Sequence, residues 1–169
     1  MSIAKFLRVS EAQYAADQAL PDALPIADIP LPCRATSGSA GYDFVCTADV
    51  TLHPGDAITI PTGIRCEMEP GWVLLLFPRS GLGFRHRLSL ANTVGVIDSD
   101  YFHADNEGHI LVRIVNGQLP PCNGGETLTI SAGERFCQGV FLPHGLAEED
   151  DVQARRSGGF GSTGSTGKL

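Results

Sequence analysis

Five short stretches of this chain carry the residues that could do chemistry. They are "ATSGSAGYDF" (35–44), "PRSGLG" (78–83), "NTVGVIDSDY" (92–101), "GERFCQGVF" (133–141) and "RRSGGFGSTG" (155–164). Each sets reactive or glycine-rich residues beside an expected strand end. "PRSGLG" offers a guanidinium, a hydroxyl and accessible backbone amides, a donor set suited to an anion. In "GVIDSDY" two carboxylates, Asp98 and Asp100, stand on either side of one serine, and the residue types do not choose between them. The tail poses a different problem. Glycine and small hydroxyls keep a segment solvated, but Phe160 gains nothing there unless it finds a surface, and Arg155 and Arg156 imply that this surface carries negative charge. Taken singly, each stretch is also an ordinary turn, cap or strand start.

These residues need a scaffold, and the composition bounds it. At 169 residues and 43% hydrophobic content the chain is one domain long and can bury a core. A formal charge of −7 excludes the basic surface that nucleic acids or anionic membranes select, so neither is an expected partner. Ten of the twelve basic residues are arginine, a bias towards planar recognition of phosphate or carboxylate. Five cysteines, an odd number with no CxxC pair, read as free thiols in a reducing compartment. No apolar run approaches the roughly 20 residues of a membrane span, and the expected location is cytoplasmic.

From Gly41 to about Phe141 the chain is a series of short apolar runs: "DVTLH", "AITIPTGIRCEM", "WVLLLF", "HILVRIV", "ETLTI" and "RFCQGVF". The turn signals "HPGD", "EPG", "NGGE" and "SAGE" separate them, a spacing that predicts an all-β fold, a jelly-roll-like antiparallel β-sandwich. Before it, Ser10 and Glu11 open a short helix in "SEAQYAADQAL", and prolines at 21, 25, 30 and 32 make an extended connector. The expected organisation is an N-terminal extension over 1–28, a β domain over 29–146 and a flexible C-terminal lid over 147–169.

Together and in this order, "AGYDF", "PRSGLG", "GVIDSDY", "RFCQ" and "GGFGSTG" resemble the motifs of the trimeric dUTPase family, over about Ile29 to Gly164. The resemblance implies the dUTPase-like β-clip fold and hydrolysis of dUTP to dUMP and pyrophosphate, which limits uracil in DNA and supplies dUMP. By position it makes Asp98 the holder of the attacking water. Arg79, Ser80, Gly81 and Gln138 become phosphate contacts, while Asn92 and the backbone at Gly95, in a hairpin over 92–101, read uracil. Tyr101 packs under the deoxyribose, where a ribose hydroxyl would clash. Magnesium, Mg2+, is implied as a cofactor carried by the triphosphate, with Asp43 touching its waters from the outer shell. The tail becomes a lid: Phe160 stacks on the base, and Arg155, Gly161, Ser162 and Thr163 meet the terminal phosphates. The partner is dUTP, in a homotrimer whose lid is supplied in trans.

Departures from the family pattern are Arg87 and Arg156, where small residues are usual, and a longer, acidic "FHADNEGHI" after Tyr101, expected as a solvated loop. Two alternatives share the fold. A dCTP deaminase would need a catalytic glutamate near the hairpin and would lack "GGFGSTG", and a non-catalytic regulatory binding protein would not need Asp98 or the lid.

Overall fold

The computed structural model describes residues 2–17, 20–118, 125–150 and 152. Strands form wherever apolar and polar residues alternate, because successive side chains leave a strand on opposite faces. β4 (Val50–Leu52) and β11 (Leu128–Ile130) illustrate this: Val50, Leu52, Leu128 and Ile130 point into the core and the central threonines outward. The two strands pair antiparallel with Leu128 opposite Leu52 and Ile130 opposite Val50, so their apolar faces coincide.

The remaining strands among the described residues are β1 (Ala4–Arg8), β2 (Cys33–Arg34), β3 (Tyr42–Val45), β5 (Ala57–Pro61), β6 (Ile64–Met68), β7 (Trp72–Pro78), β8 (Leu88–Leu90), β9 (Gly95–Asp98), β10 (Leu111–Asn116) and β12 (Arg135–Pro143). All pairings are antiparallel. The largest sheet has the order β2-β3-β12-β7-β9, a second is β5-β10-β8, and β1-β6 and β11-β4 complete the set. Their inner faces meet in one core that includes Phe44, Ile60, Ile64, Leu74, Ile114, Ile130 and Phe136, each at most 1% exposed. This is the antiparallel β architecture that the turn spacing predicts.

Two elements depart from the sequence reading. The N-terminal stretch is not helix alone. β1 precedes the helix α1 (Glu11–Asp17), runs along β6 from Ala4 opposite Met68 to Arg8 opposite Ile64, and sets Phe6 against Tyr42, Phe44 and Phe141 at ring separations of 5.4–5.7 Å. Residues Val9, Tyr14, Leu20 and Ile26 of this stretch belong to the common core. The second departure is a one-turn-and-more helix, α2 (Ser80–His86), that "PRSGLG" opens. It closes at Arg87, which takes the left-handed conformation (φ 53°) more usual for glycine, and the Arg87 N–H donates to the Leu82 carbonyl. Arg87 is thus explained by a helix end.

Cys33, Cys46, Cys66 and Cys137 are free thiols. Burial pushes Cys46 up to about 11 and Cys66 up to about 12, so both stay protonated and inert. No helix among the described residues is long and apolar enough to cross a membrane.

Candidate active site

A bulge in β12 builds the first half of the site. The register against β3 shifts between Arg135 and Cys137, so Phe136 and Cys137 both turn inward and are fully buried, while Arg135 is left on the outer side. The Phe136 carbonyl then accepts a hydrogen bond from the Arg79 N–H (3.1 Å), which holds the start of α2 against β12. Across β12 lies Asp43 on β3, in register with Gln138 and 8% exposed.

A buried carboxylate is costly without partners, and this one has two. Arg79 Nε lies 3.1 Å from Asp43 Oδ1, and Arg135 Nη1 lies 3.1 Å from Oδ2. Asp43 therefore orients two guanidiniums while cancelling one of their two charges. Arg79, the Ser80 hydroxyl and the Gln138 amide adjoin one cavity of about 350 Å³ that also reaches Gly41 and Asp43. Gly81 follows on the exposed first turn of α2. Arg135 is the residue the motif reading passed over. Its signal was a charged side chain next to two buried ones in "ERFCQ", the pattern of a bulge.

The second half of the site lies elsewhere. A cavity of about 430 Å³ is lined by Leu76, Leu90, Asn92, Gly95, Tyr101 and Val112, among others, and shares no lining residue with the first. The segment 92–101 is not a simple hairpin: β8 pairs with β10 and β9 with β7, so the turn between them passes the chain from one sheet to the other. Physically, this opens a slot between the sheets where a paired hairpin would close it. The crossing is tight. Thr93, a β-branched residue, is held at φ 67°, with its N–H on the Leu90 carbonyl (3.0 Å) and the Val94 N–H on the Asn92 carbonyl (2.7 Å). At Gly95 a Cβ would stand 3.0 Å from the Leu76 Cβ, so a larger residue would crowd the Leu76 side chain. Tyr101 is buried, and its hydroxyl bonds to the His109 carbonyl (2.8 Å).

Asp98 ends β9, half-buried, between Ile97 and Tyr101, both of which line the apolar slot. Asp100, the competing carboxylate, is exposed on the 3-10 turn Ser99–His103. Asp98 pairs with Val73 at one end of β7, whereas Arg79 follows the other end, so at ~3.3 Å per residue they stand roughly 20 Å apart. Arg155, Phe160, Gly161, Ser162 and Thr163 lie outside the described residues.

The loop after Tyr101 is solvated only in part: His103 and Asp105 are exposed, while Ala104, Gly108 and His109 are buried. His109 is 0% exposed, with Nδ1 2.7 Å from Asp17 Oδ2 and Nε2 accepting from the Gly63 N–H at 2.9 Å. Burial lowers the His109 pKa from its ordinary value, against the pull of Asp17. Among the described residues no group of three or more histidine, cysteine or carboxylate side chains could hold a metal ion by itself.

A family model described as dUTPase matches residues 27–164. The deoxyuridine 5'-triphosphate nucleotidohydrolase of Hahella chejuensis is 44% identical over 145 residues, covering 81% of this chain and 88% of that one. The same enzyme of Lactococcus lactis subsp. lactis is 43% identical over 141 residues, covering 82% and 90%. The crystal structure of the dUTPase from Streptococcus mutans superposes with a TM-score of 0.63 at 33% identity, covering 85% of this chain and 98% of that one.

Proposed function

Because this chain belongs to the dUTPase family, we propose that it hydrolyses dUTP to dUMP and pyrophosphate through a water held and deprotonated by Asp98. The water oxygen bonds to the α-phosphorus, the bond to the bridging oxygen of the β-phosphate breaks, and pyrophosphate leaves. The observation that carries this reading is the pair of cavities. One is an arginine cavity oriented by Asp43, the other an apolar slot beside Asp98 closed by Tyr101.

The chemistry of each cavity suits one part of the nucleotide. Arg79, Ser80, Gly81 and Gln138 present donors to the phosphates, and donors fixed before the reaction cost no reorganisation when charge develops. In the slot, Asn92 and the backbone near Gly95 read the uracil edge, and the buried Tyr101 ring lies under the sugar, leaving no room for a 2'-hydroxyl. Arg155, Phe160, Gly161, Ser162 and Thr163 act as the lid, excluding water once the nucleotide is bound.

Carried on the triphosphate, magnesium would supply neutralisation of the phosphate charge. Asp43 suits contact through water rather than direct ligation, since each of its oxygens already meets an arginine.

A span of roughly 20 Å along β7 exceeds what one arginine side chain and one triphosphate bridge together, so Asp98 and Arg79 of a single chain do not serve the same nucleotide. This supports a homotrimer in which neighbouring chains contribute the two halves and the lid arrives in trans.

The test is pyrophosphate release from dUTP, dCTP, dTTP and UTP, each with magnesium and with EDTA. Rapid, metal-dependent release from dUTP alone is expected. No release from any of them would overturn the reading in favour of a binding role, and ammonia from dCTP would overturn it in favour of a deaminase.

A further inference from the structure

We infer that Asn106, together with the contact between His109 and the N-terminal helix α1, positions Tyr101 and thereby sets how strictly the enzyme distinguishes deoxyribose from ribose. This rests on the reading of Tyr101 as the sugar filter. A steric filter works only if the ring cannot yield, because a side chain that shifts by a fraction of an ångström admits the extra oxygen.

The ring is pinned at its far end. Its hydroxyl donates to the His109 carbonyl at 2.8 Å and accepts from Asn106 Nδ2 at 2.8 Å. Both partners sit on a loop folded back onto Tyr101 itself. Gly108 takes φ 70°, and a Cβ there would stand 2.6 Å from the Tyr101 carbonyl oxygen and 2.8 Å from the Phe102 Cα. Asn106 Oδ1 accepts from the Gly108 N–H (3.2 Å), and the Asn106 carbonyl accepts from the His109 N–H (3.0 Å).

The loop in turn is tied to parts of the chain far away in sequence. The His109 ring, wholly buried, is clamped between the Asp17 carboxylate at 2.7 Å and the Gly63 N–H at 2.9 Å. That geometry assigns the proton to Nδ1 and leaves Nε2 as the acceptor. Gln13 Nε2 donates to the same Asp17 oxygen at 2.7 Å, which keeps the carboxylate facing the loop. Glu107 accepts from both the Ser10 N–H (2.9 Å) and the Ser10 hydroxyl (2.7 Å) at the start of α1. Arg65 donates to the Phe102 carbonyl at 2.7 Å and lies over the Phe102 ring at 3.8 Å. The extension and the acidic loop, the two segments that the motifs left without a role, thus form one brace behind the tyrosine.

The experiment compares kcat and KM for dUTP and UTP by pyrophosphate release, with thermal melting of each variant. Asn106→Asp keeps the acceptor for the Gly108 N–H but removes the donor, so the single phenol proton can no longer serve both neighbours. It is expected to raise UTP use relative to dUTP by about fivefold, mainly through KM, the scale of one neutral hydrogen bond. Tyr101→Phe is expected to do the same, and the two changes combined no more than either alone. Asp17→Ala is expected to move the ratio in the same direction, while Asp17→Asn, which still offers an oxygen to His109 Nδ1–H, restores it. An unchanged ratio in Asn106→Asp and Tyr101→Phe, or effects that multiply when combined, would overturn the inference. Tyr101→Ala separates the two levels. If it raises UTP use while the others do not, the brace is wrong and the filter stands; if it leaves the ratio unchanged, both fall.

Discussion

The arginine cavity and the apolar slot are held in shape by different means. In the first, charge does the work: Asp43 grips Arg79 and Arg135 at 3.1 Å each on a sheet whose β12 bulge sets their height. In the second, shape does it: β9 lies so close to β7 that a Cβ at Gly95 would crowd the Leu76 side chain, Thr93 is held in a strained turn, and Tyr101 is pinned from behind by a loop and a helix. Charged positioning is local and needs few residues. Steric positioning has to be braced through several layers, which is why it draws in Ser10, Asp17 and Gly63 from distant parts of the chain.

The sharpest test of this division removes the group at the edge of the slot. Asp98→Asn is expected to lower kcat by about a hundredfold to ten-thousandfold while dUTP still binds, because the water loses its base and the phosphate donors remain. Normal turnover in that variant, followed by single-turnover kinetics, would remove Asp98 from the mechanism.

The cavities can next be separated between chains. Mixing inactive Asp98→Asn subunits with inactive Arg79→Ala subunits, by unfolding and refolding them together, is expected to restore part of the activity, since some sites then join an intact Asp98 to an intact Arg79. Persistent inactivity of mixed oligomers, verified by mass, would mean that both halves of a site come from one chain.

Asp43→Ala addresses the charged half alone. It frees two guanidiniums to swing, and about a tenfold loss in kcat/KM for dUTP is expected with little change in preference against UTP. A change in the sugar preference instead would show that the cavities are not independent.

The smallest effect concerns the brace. Burial lowers the His109 pKa from the ordinary 6.5, and its Nε2 accepts from the Gly63 N–H, a role open only to the neutral ring. The groups facing it are Asp17, Glu107 and the Tyr14 ring. A lowered pKa means that the stabilisation is complete above the unfolded-state value and is lost as pH falls through the folded-state one. Glu107, also lowered by its bonds to Ser10, adds a loss in the same direction at more acidic pH. Melting temperature is expected to decline from pH 7 towards pH 5, and His109→Gln to flatten that decline. A slope unchanged by the substitution would place the acid sensitivity elsewhere.

Much of the strand pattern was legible because period-two alternation is a local property. "WVLLLF", "HILVRIV" and "RFCQGVF" became β7, β10 and β12, and "ETLTI" met "DVTLH" as β11 on β4. β1 was missed because its burial comes from Tyr42, Phe44 and Phe141, none of them near it in sequence. Arg135 was missed because a bulge depends on the partner strand, and the buried side of the acidic loop was missed because its partners, Ser10 and Asp17, are more than ninety residues away.

By itself the sequence determined the antiparallel β character, the family and the residue types of the candidate site, since alternation, turn chemistry and ordered motifs are written in neighbouring residues. Only the tertiary structure decided that Asp43 faces two arginines, that the segment 92–101 crosses between sheets, and that Asp98 and Arg79 lie toward opposite ends of β7. Those outcomes depend on strand order and register, which follow from burial summed over the whole chain and leave no trace in any one stretch of it.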